Sequence, residues 1–160
     1  MPKQGSPDPR SVAPIRAKTI LVVEDEPHVR ALVVDFLGMD GHKVDTAANG
    51  AIALDMLAWH SYGLIISNIH MPELDGPGLY RELERRWPEL ARTYIFMTGD
   101  DGAATSEFLA TVPAPVLRKP FTLDDLRQAI TMVLGEPRVD GHQGAAVGNV
   151  SPRSGRPETG

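Results

Sequence analysis

The chain has 160 residues, a formal net charge of −5, 15 Gly, 14 Pro and no Cys. That length suits a single domain, and the lack of Cys excludes disulfides, zinc–thiolate sites and a cysteine nucleophile. An acidic chain is a poor polyanion binder, which argues against nucleic acid or a membrane surface as partner, and no apolar run approaches the length of about 18 residues that marks a membrane span.

Gly and Pro crowd into residues 1–17 and 136–160, two segments without a single Phe, Trp, Tyr or Leu. Such segments bury too little apolar area to offset the entropy of ordering, so both are expected to be disordered. The domain is then expected over 18–135, which carries a net charge of −7 against +2 for the tails. With no apolar leader at the N-terminus, the cytoplasm is the expected compartment.

Ile20-Leu21-Val22-Val23 is an apolar run suited to a strand buried on both faces. Val29, Leu32, Val33, Phe36 and Leu37 then repeat at helical spacing, with Pro27 in the first turn and Gly41 past the end. A weaker run at Lys43–Thr46 precedes a helix over about 50–60, with Ile52, Ala53 and Leu57 as candidate core positions. Leu64–Ser67 reads as the next strand, and the loop His70–Gly76 leads to a helix over about 78–87 that Pro88 stops. Tyr94–Met97 and Val116-Leu117 read as strands, with a weak helix over Asp101–Thr111 between them. The last helix opens on Thr122 as N-cap with Asp125 three residues on, and ends at Gly135.

Five strands alternating with five helices predict a doubly wound α/β fold: a five-stranded parallel sheet with helices on both faces. In such folds functional groups gather at the carboxyl ends of the strands. Glu24, Asp25, Asn68, Thr98 and Lys119 all lie just there. Adjacent carboxylates at one strand end suit a hard divalent cation such as Mg2+. A hydroxyl and an ammonium nearby suit the charged oxygens of a phosphoryl group.

These motifs, in this order and each after its own strand, resemble the receiver domain of two-component response regulators. The matching pieces are Leu21–Pro27, Asn68–Gly76 with its Met71-Pro72-x-x-Asp75-Gly76, Met97-Thr98-Gly99, and Lys119-Pro120-Phe121. Phe96–Asp100 together with Pro115–Phe121 is similar to receivers attached to hybrid histidine kinases. The resemblance implies a flavodoxin-like fold in which Glu24, Asp25 and the side chain at Asn68 hold Mg2+ with the backbone carbonyl of His70. It implies that Thr98 and Lys119 meet a phosphoryl group, and that the Lys119–Pro120 bond is cis. The partner it implies is a histidine kinase or a histidine phosphotransfer protein, docking at the start of the first helix (His28, Val29, Leu32) and at Phe121. A homodimer is compatible with it.

Two positions depart from the family pattern. Asn68 stands where the family carries its phosphoacceptor Asp, and a neutral amide is a very poor nucleophile beside a carboxylate. No phosphorylation is expected at position 68. Mg2+ binding should be weakened, because the site loses one formal negative charge. Two origins stay open: a natural pseudo-receiver, or an Asp→Asn block of a working receiver, which the otherwise intact pocket favours. The second departure is Val116, where many receivers carry a Tyr or Phe that switches rotamer with the threonine. Output would then travel through the loop after Thr98 and the fourth helix.

Other residues read more plainly. Ser67 should point away from the pocket by strand alternation. His28, His42, His60, His70 and His142 lack metal-ligand spacing. Trp59 and Trp87 are expected to cover core edges, and Arg81, Arg85 and Arg86 to form a solvated face with Glu82 and Glu84. A phosphatase on this fold would need a nucleophilic Asp and a second Asp two residues on, where this chain has Asn68 and His70, so no enzyme is expected. The 25 residues after Gly135 are too few and too polar for a DNA-binding output domain. The expected function is therefore a single-domain regulator, or a receiver cut from a hybrid histidine kinase.

Overall fold

Ile20, Leu21, Val22 and Val23 have no exposed surface in the computed structural model, which describes residues 17–135 and the pair Val150–Ser151. The run forms strand β1 (Thr19–Val23), an interior strand of the sheet. Its alternation feeds two cores. Ile20 and Val22 pack with Val33 and Leu37 of helix α1 (Pro27–Met39) and with Leu126, Ala129 and Ile130 of the C-terminal helix. Leu21 and Val23 face Ala53, Leu57, Leu79 and Leu83 on the opposite side. Continuous apolar runs are what a strand covered on both faces requires.

Strand β2 (Lys43–Ala47) and strand β3 (Leu64–Asn68) flank β1, followed by β4 (Tyr94–Thr98) and β5 (Val116–Arg118), in the order 2-1-3-4-5 and all parallel. The expected five-stranded doubly wound sheet is thus present. A further two-residue strand, β6 (Val150–Ser151), pairs antiparallel with β5, an addition that the reading of 136–160 as a disordered tail does not contain. The remainder of that tail, with His142, and residues 1–16 lie outside the described residues.

Helix ends depart from the periodicity where local caps decide them. Helix α2 (Gly50–Leu57) starts on Asn49, whose side chain accepts from Ile52 N at 2.9 Å, and it stops short of His60. Helix α3 (Gly76–Arg86) begins two residues before the expected start because the Asp75 side chain accepts from Gly78 N at 2.8 Å. Pro88 does stop α3, but it also opens a short turn of helix, α4 (Pro88–Ala91). Helix α5 (Ala103–Ala110) and helix α6 (Leu123–Leu134) complete the set. The capping box predicted at Thr122 and Asp125 is formed.

Two core expectations fail. Ile52 is 43% exposed, because it lies beside the buried Gly50, Ala53 and Leu57 stripe of α2, and Trp59 is 85% exposed, lying past the end of that helix. Trp87 does pack on a core edge, with the Arg86 guanidinium 4.4 Å from its ring centroid.

Candidate functional site

Chain order reverses at β1, which has β2 on one side and β3 on the other. The crevice between the carboxyl ends of β1 and β3 is where a doubly wound sheet gathers its ligand groups. The register Val23↔Ser67 sets Glu24 beside Asn68, and the Lys119 N–H donates to Thr98 O, which brings the end of β5 to the same edge. Glu24, Asp25, Asn68 and Lys119 meet in direct contact.

Glu24 is fully buried. Its Oε1 accepts from Lys119 Nζ at 2.6 Å, and its Oε2 from the Asp25 N–H at 3.1 Å. Burial pushes the Glu24 carboxyl above its usual range, against the opposing pull of Lys119 and with a smaller push from Asp25. Lys119 follows β5, and its peptide bond to Pro120 is cis.

Asn68 ends β3 with 9% of its surface exposed. Its Oδ1 accepts from Lys119 Nζ at 3.3 Å. Its Nδ2 donates to the His70 carbonyl at 2.9 Å and to Asp25 Oδ1 at 3.3 Å. The neighbours dictate this orientation. Turned over, the amide would set its NH2 against an ammonium and its oxygen against two acceptor oxygens. An amide N–H pair therefore occupies the space between Asp25 Oδ1 and the His70 carbonyl.

The chemistry of this donor set bears on a divalent cation. Glu24, Asp25 and the His70 carbonyl are hard oxygen donors of the kind Mg2+ takes. Among the described residues no group of three or more His, Asp or Glu side chains could hold a metal, so a cation here would lean on the carbonyl and on water. It would also compete with the Asn68 NH2 for two of those oxygens.

The remaining residues divide. Thr98, 1% exposed, exchanges hydrogen bonds with the backbone of Asp100: its hydroxyl accepts from Asp100 N at 3.0 Å and donates to Asp100 O at 3.3 Å. Val116 is buried, and the aromatic mass on its side of the sheet comes from Phe96, which is its register partner, with Tyr94, Tyr80 and Phe108. His28 and Leu32 are exposed at the start of α1 and Val29 is half-buried. Phe121 is only 8% exposed and meets Phe36, in the last turn of α1, edge-on at 6.4 Å. Ser67 is buried and its hydroxyl donates to the Asn68 carbonyl at 2.9 Å. Arg85 pairs with Glu82 at 2.6 Å, in keeping with a solvated face.

Two contributors escape the sequence. Gly76 lies so close to β3 that a Cβ there would stand 2.3 Å from the Asn68 carbonyl; its place in the Met71–Gly76 loop is the only trace. The second is Asp100. Its carboxylate accepts from the His70 ring at 2.7 Å, from the Thr105 hydroxyl at 2.8 Å and from Gly102 N at 2.7 Å. Those bonds hold its pKa down to about 2, with Thr105 contributing most and His70 next.

Comparison with known proteins agrees with this architecture. Residues 20–131 match the response regulator receiver domain family. The response regulator receiver protein CpdR of Brucella abortus is 36% identical over 118 residues, covering 73% of this chain and 97% of CpdR. The sensor kinase CckA of the same organism is 35% identical over 122 residues, 72% of this chain but 12% of the kinase. The response regulator Rre1 of Synechocystis is 33% identical over 130 residues, and the chain spans 56% of it. Among solved structures, the receiver domain of the sensor histidine kinase PA1611 of Pseudomonas aeruginosa, described with a magnesium ion coordinated in its active-site cleft, superposes with a TM-score of 0.68 at 25% identity, covering 75% of this chain and 99% of that one. The chemotaxis response regulator CheY4 of Vibrio cholerae gives 0.66 at 25% identity, covering 74% of this chain and 99% of CheY4. The chain belongs to the response regulator receiver domain family.

Proposed function

We propose that this chain is a receiver module, over 18–135, that docks a histidine kinase or histidine phosphotransfer protein and takes no phosphoryl group at position 68. The observation that carries the reading is the Asn68 side chain. It stands at the β3 end, in contact with Lys119 and Asp25, where a phosphoacceptor carboxylate would stand. A carboxylate there can attack phosphorus; the amide lone pair is delocalised into its carbonyl and cannot.

Glu24, Asp25 and the His70 carbonyl would hold Mg2+, whose chemistry here is to neutralise phosphoryl charge. Asn68 weakens that site twice: it lowers the negative charge and presents a donor to two of the oxygens. The start of α1, with His28, Val29 and Leu32 over Phe121 and Phe36, is the docking face for the kinase or phosphotransfer protein. The module signals by binding rather than by catalysis, in the cytoplasm, with no nucleic acid or membrane as partner. No helix among the described residues is long and apolar enough to cross a membrane.

A second reading, a receiver belonging to a hybrid histidine kinase, is supported by the likeness to the sensor kinase CckA, of which the chain spans 12%. The test is to incubate the chain and its Asn68→Asp variant with Mg2+ and acetyl phosphate and to read intact mass. The variant should gain one phosphoryl group and the parent none. Phosphorylation mapped to Asn68 itself would refute the reading.

A further inference from the structure

We propose that Asp100 is a positioning residue that ties the loop after β3 to the first turn of α5, so that a change at Asn68 is felt at that helix through the His70 ring. The path runs through hydrogen bonds on either side of the covalent frame of His70. Asn68 Nδ2 donates to the His70 carbonyl at 2.9 Å, and the His70 ring reaches Asp100 Oδ2 at 2.7 Å. The same oxygen accepts from the Thr105 hydroxyl at 2.8 Å, and Asp100 Oδ1 accepts from Gly102 N at 2.7 Å. Thr98 closes the network, its hydroxyl engaged on both sides by the Asp100 backbone.

Three features mark this as a coupling device. First, α5 has no side-chain cap of its own, since its N-cap residue is Gly102. The Asp100 carboxylate, two residues earlier, orders that turn in its place, and an anion at a helix N-terminus is favoured by the helix dipole. Second, its partners come from separate elements: His70 lies 30 residues away in the β3–α3 loop, and Thr105 is 5% exposed on α5. Third, Thr98, 1% exposed at the end of β4, both donates its hydroxyl to Asp100 O and accepts from Asp100 N, so the same residue is anchored to the sheet. The His70 and Asp100 side chains are 63% and 41% exposed. Polar contacts between such exposed side chains contribute little to global stability, so the contact sets position rather than holding the fold together.

The test uses neither cation nor phosphodonor, so its outcome is independent of whether position 68 can be phosphorylated. Amide hydrogen exchange is measured in the parent, in Asn68→Ala, in His70→Ala and in the double variant. The amides of β1 and β3 report any global loss of stability. Asn68→Ala should raise exchange over Gly102–Ala110, relative to those strands, by on the order of three- to tenfold. On the His70→Ala background, which keeps the carbonyl but removes the ring, that increment should vanish. If Asn68→Ala does not fold, Asn68→Asp replaces it, because a carboxylate cannot donate to the His70 carbonyl either. An increment over α5 of equal size with and without the His70 ring overturns the proposal, and so does the absence of any increment in the parent background.

Discussion

Lys119 Nζ lies 2.6 Å from Glu24 Oε1, joining a lysine that is 20% exposed to a carboxylate with no exposed surface, 95 residues apart in the chain. A buried charge with its partner removed is costly, whereas replacing both partners with neutral groups is far less so. Lys119→Met should therefore destabilise the fold by about 3–5 kcal/mol, and adding Glu24→Gln should recover most of that loss. Urea denaturation of the two variants checks it. A double variant as unstable as Lys119→Met alone would show that the pair is not the source of the cost.

The Asn68 amide donates to Asp25 Oδ1 and to the His70 carbonyl, so Mg2+ must displace it from both. Asn68→Asp removes the donor and adds a carboxylate ligand. Its Mg2+ Kd should fall by about tenfold or more, equivalent to roughly 1.4 kcal/mol for each factor of ten. Isothermal titration of parent and variant measures this directly, and equal affinities would contradict it.

Lys18 N donates to His42 Nδ1 at 3.0 Å, which requires the ring to be neutral at that nitrogen. Burial lowers the His42 pKa from 6.5, with Asp40 opposing. A base whose folded pKa is depressed contributes stability that is present above its unfolded pKa and is lost as pH falls through the folded value. The Tm of the parent should drop between about pH 7.5 and 5.5 by more than that of His42→Asn, which keeps an acceptor without a titrating ring. Parallel melting curves for the two chains across that window would rule out His42 as the titrating group.

Gly76 has no room for a side chain, as a Cβ would stand 2.3 Å from the Asn68 carbonyl and 3.0 Å from Ile69 Cα. Gly76→Ala must push α3 away from β3, at a cost of about 1–3 kcal/mol. The shift should also disturb the Asn68 contacts, so it is read by urea denaturation together with the amide chemical shifts of Asn68 and His70. Trp59→Ala is the contrasting control: the indole is 85% exposed and its removal should leave stability within about 0.5 kcal/mol.

The sheet was legible in the residues because strands covered on both faces must be continuous apolar runs, as Leu64–Ile66 and Tyr94–Met97 are. The capping box at Thr122 and Asp125 was legible because it is local: both partners lie within one turn. The caps at Asn49 and Asp75 were equally local, and Asn49-Gly50 and Asp75-Gly76 were their unread signals. Periodicity alone could not tell that Ile52 and Trp59 would face solvent, since that depends on which stripe of α2 meets the sheet and on where the helix ends.

By itself the sequence determined which groups stand at the strand ends, and that position 68 holds an amide, because residue type and strand-end placement are properties of the chain. Only the tertiary structure decided which way that amide faces. Its orientation follows from an ammonium on one side and two oxygens on the other, delivered by Lys119, Asp25 and His70 from three different strand ends. The gathering of His70, Asp100 and Thr105 was decided in the same way. Contacts between residues 30 or more positions apart depend on strand order and register, which no local pattern encodes.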